Sequence, residues 1–276
     1  MNEISEMYID LLKKVLTDYI RIEKGEYKPV YSNNPNWRTK IVLELDKQLR
    51  KKNYIICKEV LANPQNRMYG TDWPTYADTM IGIKRLENIQ YCVTEVIKNN
   101  VEGDLIETGV WRGGATIFMR ALLKAAGDKN RTVWVADSFE GLPKPNEELY
   151  PADKGDVHYK LSEVNASLED VKANFEKYGL LDDQVKFLKG WFKDTLPTAP
   201  FTKLAVARLD GDMYESTMDG LVNLYPKLSK GGFLIVDDWG AVPACQQAVK
   251  DYRKKNNINE PIVPIDLMGV YWQKLS

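Results

Sequence analysis

The region from Leu105 to Lys255 predicts an α/β fold, a doubly wound and mostly parallel sheet with helices between the strands. Three observations carry that expectation. Five short apolar runs recur at Leu105–Glu107, Thr132–Ala136, Val185–Leu188, Leu204–Leu209 and Phe233–Val236, each continuous enough to be buried on both faces, as strands of a parallel sheet are. Helix-forming segments separate most of them. Four of the five runs end in acid: Glu107, Asp137, Asp210 and the pair Asp237-Asp238.

In chain order, residues 3–21 carry Ile4, Met7, Leu11, Leu12, Val15 and Ile20 close to helical spacing. Gly25, Pro29, Ser32, Asn33, Asn34 and Pro35 give residues 22–36 the composition of a loop. Trp37–Lys52 reads as a second helix, polar on one face, placed to cap a site or to pair with another subunit. Residues 62–78 form a further loop whose aromatics, Tyr69, Trp73 and Tyr76, suit either a lid or local packing. Thr79-Met80-Ile81-Gly82 leads into a helix reaching Val96 or Ile97, with Leu86, Ile89, Val93 and Val96 on its buried face. After the second strand, residues 138–166 make a long connection rich in Gly and Pro, a length more often functional than idle. Helices are expected at Leu168–Tyr178, at Ser216–Leu228, where Gly231-Gly232 stops the chain, and at Ala244–Lys255. Ile262–Ile265 and Val270–Gln273 read as a final antiparallel pair. The organisation expected is an N-terminal helical extension over residues 1–63 and a catalytic domain over 64–276, with a lid at 62–78 and an insertion at 144–166.

The bulk numbers bound the function. The chain has 276 residues, 44% hydrophobic and 28% charged, with a net charge of −1, which is ordinary globular composition. Balanced charge argues against binding nucleic-acid phosphates. No apolar run is long enough to span a membrane, and the N-terminus lacks the order of a signal peptide. With Cys57, Cys92 and Cys245 scattered, the expectation is a cytoplasmic protein with reduced thiols. The single histidine, His158, excludes His-rich zinc sites and disfavours a Ser-His-Asp hydrolase. His158 reads as a surface residue, with a substrate-facing or catalytic role as the alternative.

Residues 104–114, Asp-Leu-Ile-Glu-Thr-Gly-Val-Trp-Arg-Gly-Gly, are strand, glycine turn and helix start, the opening of a nucleotide-binding unit. Glycines there allow close backbone approach to a ligand. The acid at Glu107 would repel a phosphate but suits a ligand carrying ammonium or sulfonium, and S-adenosylmethionine carries both. Asp137, at the end of the second strand, stands where an acid accepts hydrogen bonds from a ribose. Asp210, Asp237 and Asp238 offer three oxygen ligands for a hard cation such as Mg²⁺. Asp212 is a fourth ligand or a general base. Converging carboxylates on one sheet edge imply positive partners. Arg112 suits either the cofactor or a structural pair; Trp191, after Gly190, suits either the adenine or the core. Together these residues fit a metal that lowers the pKa of an acceptor hydroxyl, with a carboxylate taking the proton and the oxygen attacking a sulfonium methyl.

Several strings resemble the TylF (macrocin O-methyltransferase) family: Thr79–Gly82, Gly103–Ala115, Ala136-Asp-Ser-Phe-Glu-Gly-Leu-Pro143, Arg208-Leu-Asp-Gly-Asp-Met-Tyr-Glu-Ser-Thr217, Val236-Asp-Asp238 and Gly269-Val-Tyr-Trp272. The similarity covers residue 64 to the end. It implies a Rossmann-like class I, S-adenosylmethionine- and Mg²⁺-dependent O-methyltransferase acting on a small natural-product acceptor, and a homodimer or larger homo-oligomer. It assigns the metal to Asp210, Asp237 and Asp238, and the base to Asp212 or Asp210. The cofactor falls to Glu107, Gly109, Asp137 and Ser138, with Thr79, Met80, Thr108, Arg112, Gly113, Gly190, Trp191 and Asp210 around them. The chain departs from the family pattern at Lys254–Ile258 and Leu267-Met268, which bears on the acceptor. The expected acceptor is a sugar hydroxyl of a glycosylated metabolite; a peptide carboxylate and a phenol or catechol are the alternatives. An NAD-type oxidoreductase and a non-catalytic S-adenosylmethionine binder are the rivals, disfavoured by the glycine spacing and by the acid triad.

Overall fold

The computed structural model describes residues 2–30 and 36–275. Part of the loop expected at 22–36 therefore lies outside the described residues. The N-terminal region holds helix α1 (Glu3–Leu16), strand β1 (Glu26–Pro29), helix α2 (Trp37–Arg50), strand β2 (Cys57–Val60) and the short helix α3 (Pro64–Tyr69). Helix α4 (Ile83–Lys98) follows. The sheet then begins: β3 (Asp104–Thr108), α5 (Gly114–Ala126), β4 (Val133–Asp137), α6 (Leu168–Lys177), β5 (Val185–Lys189), α7 (Phe192–Thr195), β6 (Leu204–Leu209), α8 (Tyr214–Leu224), β7 (Leu228–Val236), α9 (Pro243–Lys255), β8 (Val263–Pro264) and β9 (Val270–Gln273).

The large sheet runs β5-β4-β3-β6-β7-β9-β8. Its first five strands in that order are parallel, and β9 pairs antiparallel with β7 on one side and with β8 on the other. Strand order reverses between β3 and β6, so the cleft of a doubly wound sheet opens there, beyond the C-terminal strand ends. Alternate residues of each strand feed two cores. Leu105, Val133, Val135 and Val206 pack under α1, α4, α5 and α6 through Leu12, Leu86, Ile117 and Val171. Ile106, Ala136, Ala207 and Leu234 pack under α8 and α9 through Leu221 and Val249. Burial on both faces is why these strands read as unbroken apolar runs.

The elements differ from expectation where local chemistry intervenes. The first helix ends at Leu16, because Asp18 takes a left-handed conformation (φ 55°) and a 3-10 turn, Tyr19–Lys24, follows. Gly231-Gly232 does not stop a helix: α8 ends at Leu224, before Pro226, which lacks the N–H to continue it, and the glycines lie inside β7. The β1–β2 pair was not expected, and four polar-rich residues per strand give little pattern to see. The segment expected as loop 62–78 contains α3, capped by Asn63 and ended by Gly70.

That segment is pinned rather than loose. Arg67 is buried, donating to Glu26 at 2.8 Å, to Asp72 at 2.8 Å and to the Thr17 carbonyl at 2.8 Å. Glu26 also accepts from Thr75, so one guanidinium ties α1, β1, α3 and the following turn together. Further on, Asp78 and Thr79 donate backbone N–H groups to the Leu16 carbonyl, and Tyr178 donates its hydroxyl to Asp78 at 2.6 Å.

Candidate active site

The glycine turn after β3 is shaped by the protein's own backbone. Gly109 has φ +80°, and a Cβ there would overlap the carbonyl oxygen of Asp210. The N–H of Gly114, first residue of α5, donates to the Asp78 carbonyl at 2.9 Å. The close approaches expected toward a ligand are thus spent, at these two positions, on seating β6 and the 78–79 segment against the turn.

The acids at the strand ends do converge. One carboxylate oxygen each of Asp210, Asp237 and Asp238 lie within 4.8 Å of one another. The protein also supplies positive partners of its own, two arginines that the sequence reading did not assign. Arg208 of β6, 1% exposed, reaches Glu107, Asp237 and, at 2.8 Å, Asp210. Arg85 of α4 bonds the other oxygen of Asp237, lies 3.1 Å from Asp266, and donates to the Tyr69 and Gly70 carbonyls at 3.3 and 3.2 Å. Asp237 therefore spends both oxygens on buried guanidinium groups, whereas among the described residues the Asp238 carboxylate accepts just the backbone N–H of Asp212, at 3.0 Å. The signal for Arg208 was in the sequence: a charge inside an apolar strand must be paired to be buried.

Two arginines leave the cluster short of positive charge. Burial pushes the carboxyl groups of Asp210 and Asp238 well above the carboxylate range, and the neighbouring acids add to it. Glu107 is pushed up to about 7 by burial, opposed by Arg208 and reinforced by Asp237 and Asp137; its second oxygen is buried with no hydrogen-bond partner among the described residues. Asp212 sits at φ +56° and is pushed up to about 6 by burial, with His158 opposing. An oxygen-ligated divalent cation fits this donor set, because it would relieve repulsion that the arginines only partly offset.

Beside the cluster opens a cavity of about 280 Å³. Met80, Gly109, Asp137, Ser138, Trp191, Asp210 and Asp212 line it. Thr79 and Glu107 line a smaller adjoining hollow together with Arg208. Asp137 accepts the N–H groups of Val110 at 2.7 Å and Phe139 at 2.8 Å, and burial raises its carboxyl while those bonds lower it. Ser138 donates to the Gly141 carbonyl at 2.7 Å. The N–H of Gly190 donates to the Asp137 carbonyl at 2.9 Å, which sets Trp191 at the cavity wall. Thr108 is buried in β3, its hydroxyl directed at the Arg208 carbonyl. Gly113 caps α5. Arg112 takes the structural alternative: it donates to the Thr75 and Ala77 carbonyls at 2.9 and 2.7 Å and lies over the Trp111 ring.

The seven-stranded sheet and this cleft are those of the Rossmann-like methyltransferases. A model of the Macrocin-O-methyltransferase (TylF) family matches residues 5–274, and the chain belongs to that family. It is 50% identical over 269 residues to an 8-demethyl-8-(2,3-dimethoxy-alpha-L-rhamnosyl)-tetracenomycin-C 4'-O-methyltransferase of Streptomyces olivaceus, covering 97% of this chain and 92% of that one. It is 48% identical over 274 residues to the demethyldecarbamoylnovobiocin O-methyltransferase of Streptomyces niveus, covering 99% and 95%. Among solved structures, the O-methyltransferase NovP superposes with a TM-score of 0.84 at 48% identity, covering 99% of this chain and all of that one. The protein is an O-methyltransferase. The likeness also reaches through the first 60 residues, which the sequence strings alone did not join to the family.

Proposed function

We propose that the chain transfers a methyl group from S-adenosylmethionine to a sugar hydroxyl of a glycosylated natural product, with Mg²⁺ or a similar divalent cation. The observation that carries this reading is the acid cluster of Asp210, Asp237 and Asp238, its oxygens within 4.8 Å, at the edge of a cavity with Asp137 and Glu107 beside it. The named activities of the S. olivaceus and S. niveus relatives, methylation of a rhamnosyl-tetracenomycin and of a novobiocin precursor, support a small glycosylated acceptor.

On this reading Asp137 and Ser138 hold the ribose side of the cofactor, and Glu107 offers its second oxygen to the cofactor's ammonium. Asp210 and Asp238 would be the main residues to hold the cation, and Asp237, tied to Arg85 and Arg208, would add its charge. Bound there, the cation would stabilise the alkoxide of the acceptor. Met80, from the pinned segment, and Lys144, Asn146 and Val164, from the insertion, line the cavity. Asp212 lines the cavity and is the carboxylate nominated for the hydroxyl proton.

We also read the protein as a homodimer through its N-terminal helices. Ile4, Met7, Tyr8 and Leu11 on α1, and Trp37, Ile41, Leu45 and Leu49 on α2, are all exposed at helical spacing. Two consecutive apolar stripes exceed what a monomer surface usually leaves open.

Calorimetric titration of S-adenosylmethionine and of Mg²⁺ into wild type, Asp137→Ala and Asp238→Asn tests the assignment. Asp238 is preferred to Asp237, whose removal would take one carboxylate partner from each of two buried arginines. The expected pattern is weakened cofactor binding in Asp137→Ala and weakened metal binding alone in Asp238→Asn. Folded wild type that binds no S-adenosylmethionine at any metal concentration would overturn the reading.

A further inference from the structure

Two neighbouring side chains of the glycine turn, Trp111 and Arg112, reach away from each other along the chain. The turn beneath them is set by other groups. Asp137 accepts the Val110 N–H at 2.7 Å, the Gly113 N–H donates to the Val110 carbonyl at 2.7 Å, and Asn174 of α6 donates to the Arg112 carbonyl at 3.0 Å. Within it Trp111 holds a left-handed backbone, φ +48°, which a bulky side chain rarely adopts. Such strain persists only where the surrounding contacts over-determine it. Trp111 lines both the cavity and the adjoining hollow, so it stands where the two meet.

The indole is tied to the insertion: its N–H donates to the Glu163 carbonyl at 2.9 Å. Next to that carbonyl Val164 lines the cavity, and Asn165 packs so closely on Gly141 that a Cβ there would overlap its Oδ1. Arg112 is tied to the opposite wall. Its guanidinium donates to the Thr75 and Ala77 carbonyls at 2.9 and 2.7 Å, and Met80, three residues on, lines the same cavity. The two arms touch. The guanidinium carbon lies 4.3 Å from the centroid of the Trp111 ring, within cation–π range. One dipeptide thus joins two walls that are far apart in sequence.

We propose that Trp111 and Arg112 are positioning residues that work as one clasp, holding the insertion and the segment 75–80 closed over S-adenosylmethionine. This deepens the reading above and rests on it for the ligand. All three donors of the clasp go to main-chain carbonyls, so it holds the paths of the two walls and not any side chain on them. The stack of guanidinium on indole makes the arms cooperative. A shift of either wall moves both side chains, and the loss of one arm costs the other its orientation. With the cofactor lodged between the walls, opening the clasp is the step that lets it leave.

One arm of the experiment needs no ligand. Lys154 and Lys160 are exposed on the insertion, and tryptic cleavage after them in the folded protein measures how often the insertion opens. The other arm is S-adenosylmethionine affinity by calorimetry and its release rate by stopped flow. Both are run on wild type, Trp111→Phe, Arg112→Lys and the double variant, with thermal unfolding to show that each is folded. Phenylalanine keeps the ring and loses the N–H; lysine keeps the charge and loses the fork. Each single variant should speed insertion cleavage and cofactor release by about five-fold, the weight of one hydrogen bond. Arg112→Lys is the decisive case, because among the described residues Arg112 has no hydrogen bond to the insertion, and only a clasp carries its effect there. Independent bonds would multiply to about 25-fold in the double variant, whereas one clasp keeps the double near either single. Insertion cleavage in Arg112→Lys equal to wild type, a full product in the double variant, or unchanged cofactor release in both singles would each overturn the proposal. A wild type that binds no S-adenosylmethionine would sink the proposed function instead, and the tryptic arm, which needs no cofactor, tells the two failures apart.

Discussion

Asp238→Asn should make the metal-free protein more stable. Asp238 is buried, and one of its oxygens lies within 4.8 Å of oxygens of Asp210 and Asp237. Two unit charges 4.8 Å apart repel by about 3.5 kcal/mol at an effective dielectric constant of ~20. Two such pairs would double that figure, but two effects reduce it. Arg208 and Arg85 neutralise much of Asp237, and the raised carboxyls of Asp210 and Asp238 take up protons before the full repulsion develops. A net gain of about 1–2 kcal/mol is reasonable, or about 2–4 °C in Tm for a chain of this size. Asparagine keeps an oxygen to accept the Asp212 N–H, so the turn is not disturbed. The assay is thermal unfolding of both proteins in EDTA and again in millimolar Mg²⁺. Wild type should gain stability with Mg²⁺ by mass action, and the variant should gain little. A variant less stable than wild type in EDTA would refute the idea that unbalanced charge is the cost carried by this site. An undiminished Mg²⁺ response would refute the ligand assignment.

Glu107 makes a pH prediction. Its carboxyl is held at about 7, and on the reading above its ionised form receives the cofactor's ammonium. S-adenosylmethionine affinity should therefore rise as pH climbs through about 7, and Glu107→Gln should flatten that dependence; calorimetry between pH 6 and 8 checks both. For folding the sign is opposite: a carboxyl raised from its unfolded value to about 7 contributes relative stability at low pH that is lost as pH rises from about 4.5 to 7. Gly109→Ala should destabilise by at least about 3 kcal/mol, since its φ is +80° and the added methyl would displace the Asp210 backbone, and urea unfolding measures it. Replacing Ile41 and Leu45 with Glu should convert a dimer to a monomer in light scattering; a protein already monomeric at micromolar concentration would refute the N-terminal interface.

The fold was legible wherever burial on two faces wrote itself as an apolar run. The strands from Leu105 to Val236 fall close to the expected places because parallel-sheet packing tolerates few polar residues. What escaped notice was held by interactions distant in sequence. β1 pairs with a strand some thirty residues on and meets Arg67 of α3 through Glu26, so no local pattern announces either element. Acids at strand ends were visible because topology alone gathers them at one edge. How they are balanced was not, because a guanidinium at Arg85 reaches Asp237 across 152 residues. This changes the meaning of the cluster. Five converging carboxylates with no cation would by themselves demand a metal. With Arg208 threaded through Glu107, Asp210 and Asp237, part of the charge is already met, and within the triad the demand narrows to Asp210 and Asp238, whose carboxyls burial and neighbouring acids raise well above the carboxylate range. The same guanidinium touches the acid proposed for the cofactor and the acids proposed for the metal, so the two halves of the site share one counter-charge. Occupancy of either half must then alter the field felt by the other, which is the physical ground for expecting cofactor and metal affinities to depend on each other.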